Sequence, residues 1–378
     1  MNKKLIAVAV AGVFAAPAIA LAQTSTVNIY GKVNVEYGYA DQGGGRPDTD
    51  IMQTPGGSNV GFRGEEKLGG GLSAWFQCES SADVRGVNQD GFCGRNSAIG
   101  LKGGWGNLHF GRWDTPFKRA SNAGNIGYGN GTGLLGGTFL MTGSATGTIA
   151  PSNRNVWRRR EASLIYYETP VFSGFQVLGA FNAANAATAA INTTTAAKPR
   201  VVSLGGLYKN GPLSIGAGYE RHSEFAGVGG SNDDRGWTVS AAYTFMGKVK
   251  VGATYIDTRY ETSAITELKK KNWTVGVDWN IAGPHSLEGF YTRAGDSKGS
   301  GAGIGGGNGP LAAPGPDTGA RQWEVVYNYR FSKRTNVGFG YTRVDNDANS
   351  SYTLGGLGAL IPVGDNQSAW VMRGWHTF

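Results

Sequence analysis

The chain has 378 residues, of which 63 are glycine, 16% are charged and 11% are aromatic. Thirteen prolines are too few for a Pro-rich disordered chain, and no apolar run beyond the N-terminus is long enough for a transmembrane helix. The net charge of +8 suits a nucleic acid, a membrane surface or an anionic solute, so its distribution must decide among them.

The first element is an export signal. Lys3 and Lys4 precede the apolar run LIAVAVAGVFAAPAIA, and ALA at 20–22 supplies small residues for cleavage. Cleavage after Ala22 is expected, leaving 23–378 as one domain whose charge falls from +8 to +6 as Lys3 and Lys4 leave. From there the dominant period is two. VNIYGKVNVEYGY (27–39) sets Val27, Ile29, Val33, Val35, Tyr37 and Tyr39 against Asn28, Lys32, Asn34 and Glu36. WTVSAAYTF (237–245), WTVGVDWNI (273–281) and WEVVYNYRF (323–331) alternate in the same way, as does SAWVMRGWHTF (368–378) to its final phenylalanine.

These runs of about 9–13 residues exceed the usual strand length, and aromatics sit at the ends of their apolar faces. That is the pattern of a transmembrane β-barrel with lipid outside and water inside. A sheet in lipid must close on itself to pair every backbone group, which also removes its edges. Short connections are expected near 69–71, 104–105, 171–173, 210–212, 246–247, 282–284 and 332–334. Long ones are expected at 40–57, 84–94, 114–156, 183–198, 221–233, 260–270, 295–319 and 345–366. Seven short and eight long connections imply a 16-stranded antiparallel barrel, with 14 and 18 strands left open. The last strand must then pair with the first.

Cys78 and Cys93 are the two cysteines. An exported chain meets an oxidising compartment, which favours a disulfide between them over a free pair. The roughly 15-residue loop it closes is worth about 3 kcal/mol in the chain-entropy picture. His109, His222, His285 and His376 are scattered, away from the cysteines and from any nucleophile motif, so no metal or catalytic site is expected. GAGIGG (301–306) has no strand–helix context for dinucleotide binding, and RRR (158–160) opens a strand in an exported chain, so nucleic acid is not expected.

VGFRGEEKLGGGLSAWFQCE (60–79), SAIGLKGGWGNLHFGRWDTP (97–116), LIYYETPVFSGF (164–175) and the ending His376-x-Phe378 together resemble Gram-negative general porins of the β-proteobacterial type. The resemblance implies a homotrimer in the outer membrane, against lipid and lipopolysaccharide. It implies a third loop folded into the lumen, passive diffusion of small hydrophilic solutes, and no cofactor. It makes Phe378 part of the signal read by the barrel-assembly machinery. It also implies that the loop cinched by Cys78 and Cys93 latches onto a neighbouring subunit.

A pore selects by its radius and by the charges at its narrowest point. Parity turns Lys32, Arg63, Arg158 and Arg160 inward, and the resemblance places Lys32, Arg95 and Arg160 on a basic wall facing the third loop. Arg95 shares the outward parity of Ile99 and Leu101, so either a bulge intervenes or it lies above the membrane. The segment 115–160 contains no Asp or Glu but carries Lys118, Arg119 and Arg154, leaving the basic ladder without an acidic counter-wall, although Asp114 and Glu161 flank the segment. An anion-selective channel follows. Glu36, Glu65 and Glu79 are the acids whose inward position would weaken that selectivity. The alternatives are a pore specific for an organic anion or phosphate, with Trp75, Tyr166 and Trp375 inside, a barrel enzyme, or a purely structural or adhesive barrel.

Overall fold

The computed structural model describes residues 26–86, 91–126, 133–137, 156–182, 200–225, 233–303, 312–355, 357 and 361–378. The expected export signal and its cleavage point lie outside them. In chain order the first strands are β1 (Thr26–Asp41), β2 (Thr49–Gln53), β3 (Asn59–Gly69), β4 (Leu72–Ser81), β5 (Ser97–Gly103) and β6 (Gly106–Asp114). Helix α1 (Pro116–Ser121) follows, then β7 (Arg160–Glu168), β8 (Phe175–Asn182), β9 (Arg200–Asn210), β10 (Leu213–Ser223) and β11 (Asp233–Phe245). The chain continues with β12 (Val249–Glu261), β13 (Glu267–Ala282), β14 (His285–Ala294), β15 (Lys298–Gly299), β16 (Ala320–Arg330), β17 (Thr335–Asn346) and β18 (Gln367–Thr377).

Sixteen of these strands form the wall, each antiparallel to the next, and β1 pairs with β18 from Lys32↔Thr377 to Asp41↔Ser368 to close the cylinder. The other two are short ribbons: β2 folds back on β1, and β15 pairs with the start of β13. The connection expected at 260–270 is shorter, at 262–266, because Tyr260↔Leu268 and Glu261↔Glu267 continue the ladder. Tyr260 and Leu268 are held there by packing inward with Phe117 and Trp157.

Burial is inverted relative to a water-soluble sheet. On β11, Trp237, Val239, Tyr243 and Phe245 are exposed outward, whereas Thr238 and Ser240 are buried inward. The exposed face needs lipid, and the polar face needs water or polar partners. Aromatic pairs mark both rims of the outer face. Trp237–Tyr255, Trp273–Tyr291 and Trp323–Tyr341 lie toward the long connections, and Tyr243–Phe245 and Tyr329–Phe331 toward the short turns. The β11–β12 turn is tight because Met246 and Gly247 both take left-handed backbone, at φ 48° and 66°. Cys78, on the outward parity of β4, is disulfide-bonded to Cys93 in the connection to β5.

Closure extends to the last residue. Gly31 N donates to Phe378 O at 3.1 Å, and Phe378 N donates to Gly31 O at 3.0 Å. A Cβ on Gly31 would sit 2.4 Å from the Phe378 ring and 2.7 Å from Asn59 O, so the seam requires glycine there. Gly31→Val is therefore expected to cost roughly 1–3 kcal/mol of overpacking at the seam. It should lower the yield of heat-modifiable folded barrel on gel electrophoresis. A yield equal to that of the unsubstituted chain would show that closure does not depend on this contact.

Candidate functional site

The first residues of the connection from β6 to β7 lie against side chains of the wall strands β9–β12. Thr115 N donates to Arg159 O at 3.2 Å, drawing its two ends together. Helix α1 starts there because Thr115 caps it, accepting from Lys118 N at 3.4 Å, and Pro116 supplies a preset φ at the first turn. The inward wall then holds the backbone. Phe117 N donates to Ser203 Oγ at 3.0 Å, Ser240 Oγ to Ala120 O at 2.6 Å, Ser214 Oγ to Ala123 O at 3.0 Å and Lys250 Nζ to Asn125 O at 2.6 Å. Farther along, Leu134 N donates to Glu36 Oε2 at 3.0 Å, reaching the β1 side of the lumen.

The close approach depends on inward glycines. A Cβ at Gly216 would lie 2.2 Å from Ala120 O, and one at Gly252 would lie 2.6 Å from Gly124 O. Neither distance is sterically accessible, so any side chain at these positions would lift the segment from the wall.

The predicted charges distribute unevenly around this segment. Asp114 accepts Lys118 Nζ at 2.8 Å and Arg160 Nη2 at 3.2 Å, so one carboxylate serves two cations. Arg160 is buried and also donates to Asn96 Oδ1 at 2.6 Å. Arg119 pairs with Glu168 at 2.5 Å. Arg158 is buried and bonded to Ser121 Oγ at 3.0 Å and to Asn122, where it braces α1. Arg154 lies outside the described residues. Arg95 stands in the turn before β5, where strand parity no longer applies, and its guanidinium reaches Glu79 at 2.7 Å. Arg63 faces inward over the Tyr30 ring at 5.0 Å, and Lys32 over the Trp375 ring at 4.9 Å.

The expectation of a basic segment without acidic partners is corrected here. The acids come from neighbouring strands instead of the segment itself. Asp114 and Glu168 stand on β6 and β7, and buried Arg159 pairs with Glu161 at 2.8 Å. Glu36, Glu65 and Glu79 all point inward. Glu65 is shared by Lys102 at 2.6 Å and Lys67 at 2.8 Å. Glu36 is taken up by Gln53 Nε2 at 2.9 Å and by the Leu134 amide. A further acidic patch, which the composition did not reveal, lies across the lumen, where buried Glu288 and Glu324 stand with Arg373 on β14, β16 and β18. Lys102 was also missed, although its parity opposite Ile99 and Leu101 on β5 points it inward. Burial lowers the Lys118 ammonium to about 8, an effect that Asp114 opposes and Arg160 reinforces.

His109 is stacked on Tyr166 with ring centroids 4.6 Å apart, and His222 bonds Glu220 at 2.8 Å. No group of three metal-ligating side chains occurs among the described residues. The Gram-negative porin family matches residues 7–349. The chain belongs to that family. Outer membrane porin protein 32 of Delftia acidovorans is 30% identical over 287 residues, covering 75% of this chain and 77% of that protein. An outer membrane porin protein of Bordetella pertussis is 34% identical over 246 residues, and the match spans 58% of this chain and 60% of that relative's length. In fold, the chain is similar to the anion-selective porin from Comamonas acidovorans, with a TM-score of 0.73 at 23% identity, covering 94% of this chain and 100% of that one. This porin is thus a Gram-negative outer-membrane barrel, of a family of channels and not of enzymes.

If the wall glycines seat the segment, Gly216→Leu should displace α1 while the barrel still closes. Larger and noisier single-channel conductance in planar bilayers is the expected result. Unaltered conductance from a properly folded variant would show that the seat is dispensable.

Proposed function

We propose that this porin is a passive diffusion channel for small hydrophilic solutes that prefers anions, with the segment after β6 narrowing its lumen. The observation that carries this reading is the Asp114 cluster, where a single carboxylate is shared by Lys118 and Arg160. Its surplus positive charge sits beside a polar passage with low-dielectric walls, which focus the field. Glu65, shared by Lys67 and Lys102, repeats the arrangement nearer the short turns. On the far wall Glu288 is offset by Arg373.

Reversal potentials under a KCl gradient test this directly, and a chloride-favouring sign is expected. Arg160→Gln should lower the chloride-to-potassium permeability ratio by roughly fivefold, the effect of one unit charge a few ångströms from the ion in a water-like medium. A potassium-favouring potential in the unsubstituted protein would overturn the anion preference while leaving the channel intact.

The same preference should depend on pH. Lys118 titrates at about 8, so its charge is present below that value and lost above it. Chloride preference is expected to fall between pH 7 and 9, and Lys118→Arg should flatten that decline. A profile unchanged by Lys118→Arg would remove Lys118 from the selective cluster.

A second reading, a pore adapted to one class of organic anion, is favoured by Trp75 and Trp113 facing the lumen beside Lys102 and Arg119. Family membership supports a homotrimer whose rim meets lipopolysaccharide and whose insertion by the assembly machinery reads Phe378. Chemical cross-linking in native outer membranes would report the trimer.

A further inference from the structure

We infer that the inner face of β4–β7 holds a subsite for aromatic carboxylates, a proposal that deepens the anion-channel reading and rests on it. Trp75, Trp113, Asn96, Lys102, Asn107 and Arg119 line a cavity of ≈ 470 Å³, together with Asp114 and Glu168. The two indoles meet edge to face with centroids 5.8 Å apart. His109 backs both, at 5.3 Å from Trp75 and 5.0 Å from Trp113, and itself lies on Tyr166 at 4.6 Å. Trp75 Nε1 donates to Asn107 Oδ1 at 2.8 Å, which fixes the indole plane and, among the described residues, leaves the Asn107 amide nitrogen to donate to a guest. Rings held in this way offer a preorganised apolar surface to a flat solute, and stacking on them costs little further ordering.

The charges select the sign of that solute. Arg119 is balanced by Glu168. Glu65, however, is shared by Lys67 and Lys102, and Asp114 by Lys118 and Arg160, so both flanks of the aromatic wall carry an excess cation. Of the cations that line the cavity, Lys102 is the more accessible, with 43% of its side chain exposed against 28% for Arg119. An aromatic carboxylate satisfies both features at once, its ring against Trp75 and Trp113 and its carboxylate toward Lys102 and the Asn107 amide. An aliphatic carboxylate of the same charge gains only the second, and a cation is opposed by the excess.

The test uses the purified full chain in planar bilayers, with potassium benzoate as probe and potassium acetate as comparison. Benzoate should depress chloride conductance saturably, with half-effect at about tenfold lower concentration than acetate, the difference one stacked ring supplies. Trp113→Leu and Lys102→Gln should each raise the half-effect concentration by about fivefold or more. Equal block by benzoate and acetate in the unsubstituted protein would overturn the subsite, whether or not the variants fold. Block by benzoate that is unmoved in both variants would also overturn it. The KCl reversal potential recorded in the same membrane separates the two levels. A chloride-favouring potential with no benzoate effect sinks the subsite alone, and a potassium-favouring one sinks the anion channel and the subsite with it.

Discussion

Everything in this barrel depends on the pairing of β1 with β18. Backbone amides and carbonyls have no solvent in lipid, so an unpaired strand edge at that depth would be prohibitively costly. The seam runs from Lys32↔Thr377 to Asp41↔Ser368 and is fastened at its lower end by the reciprocal bonds of Gly31 and Phe378. Closure separates an outer face, where Ile29, Phe62 and Trp370 meet lipid, from an inner face reserved for polar groups. The inner face can therefore hold charges that would be forbidden on the outer one.

One apolar cluster is not made by wall side chains alone: Phe117 and Trp157 of the β6–β7 connection pack with Ile256, Tyr260 and Leu268. The segment after β6 is held by hydroxyls of Ser203, Ser214 and Ser240 bonding its backbone, and not by apolar packing alone. Buried backbone groups need such partners, and wall serines provide them at little cost in space. Glycines at 216 and 252 let the two backbones approach to contact. The abundance of glycine thus has a purpose beyond turns.

Much of this was legible in the sequence, for a definite reason. A side-chain period of two is imposed by the strand itself, so the inward position of Lys32, Arg63 and Glu65 follows from counting along one chain. The alternation of short and long connections likewise counts sixteen strands. What counting misses is what comes from register between strands. No local pattern says that Arg119 meets Glu168, 49 residues away, or that Lys102 reaches Glu65, 37 residues away. Arg95 eluded parity because it stands two residues before β5, outside any strand, and turns toward Glu79.

Pairing changes what charge in the lumen means. A row of isolated arginines would be electrostatically strong and costly to dehydrate, with each guanidinium repelling the next. Supplying one carboxylate to two cations, as Asp114 does for Lys118 and Arg160, fixes the geometry of both and leaves a net charge smaller than either bare row would carry. On the anion-channel reading proposed above, the attraction that remains draws an anion in without holding it, which is what conduction requires. In the proposed subsite, the aromatic wall between two such clusters adds a surface that would discriminate by shape where charge alone cannot. On the proposed reading, selectivity arises from the mismatch in number between cations and the carboxylates they share, set by which strands stand side by side.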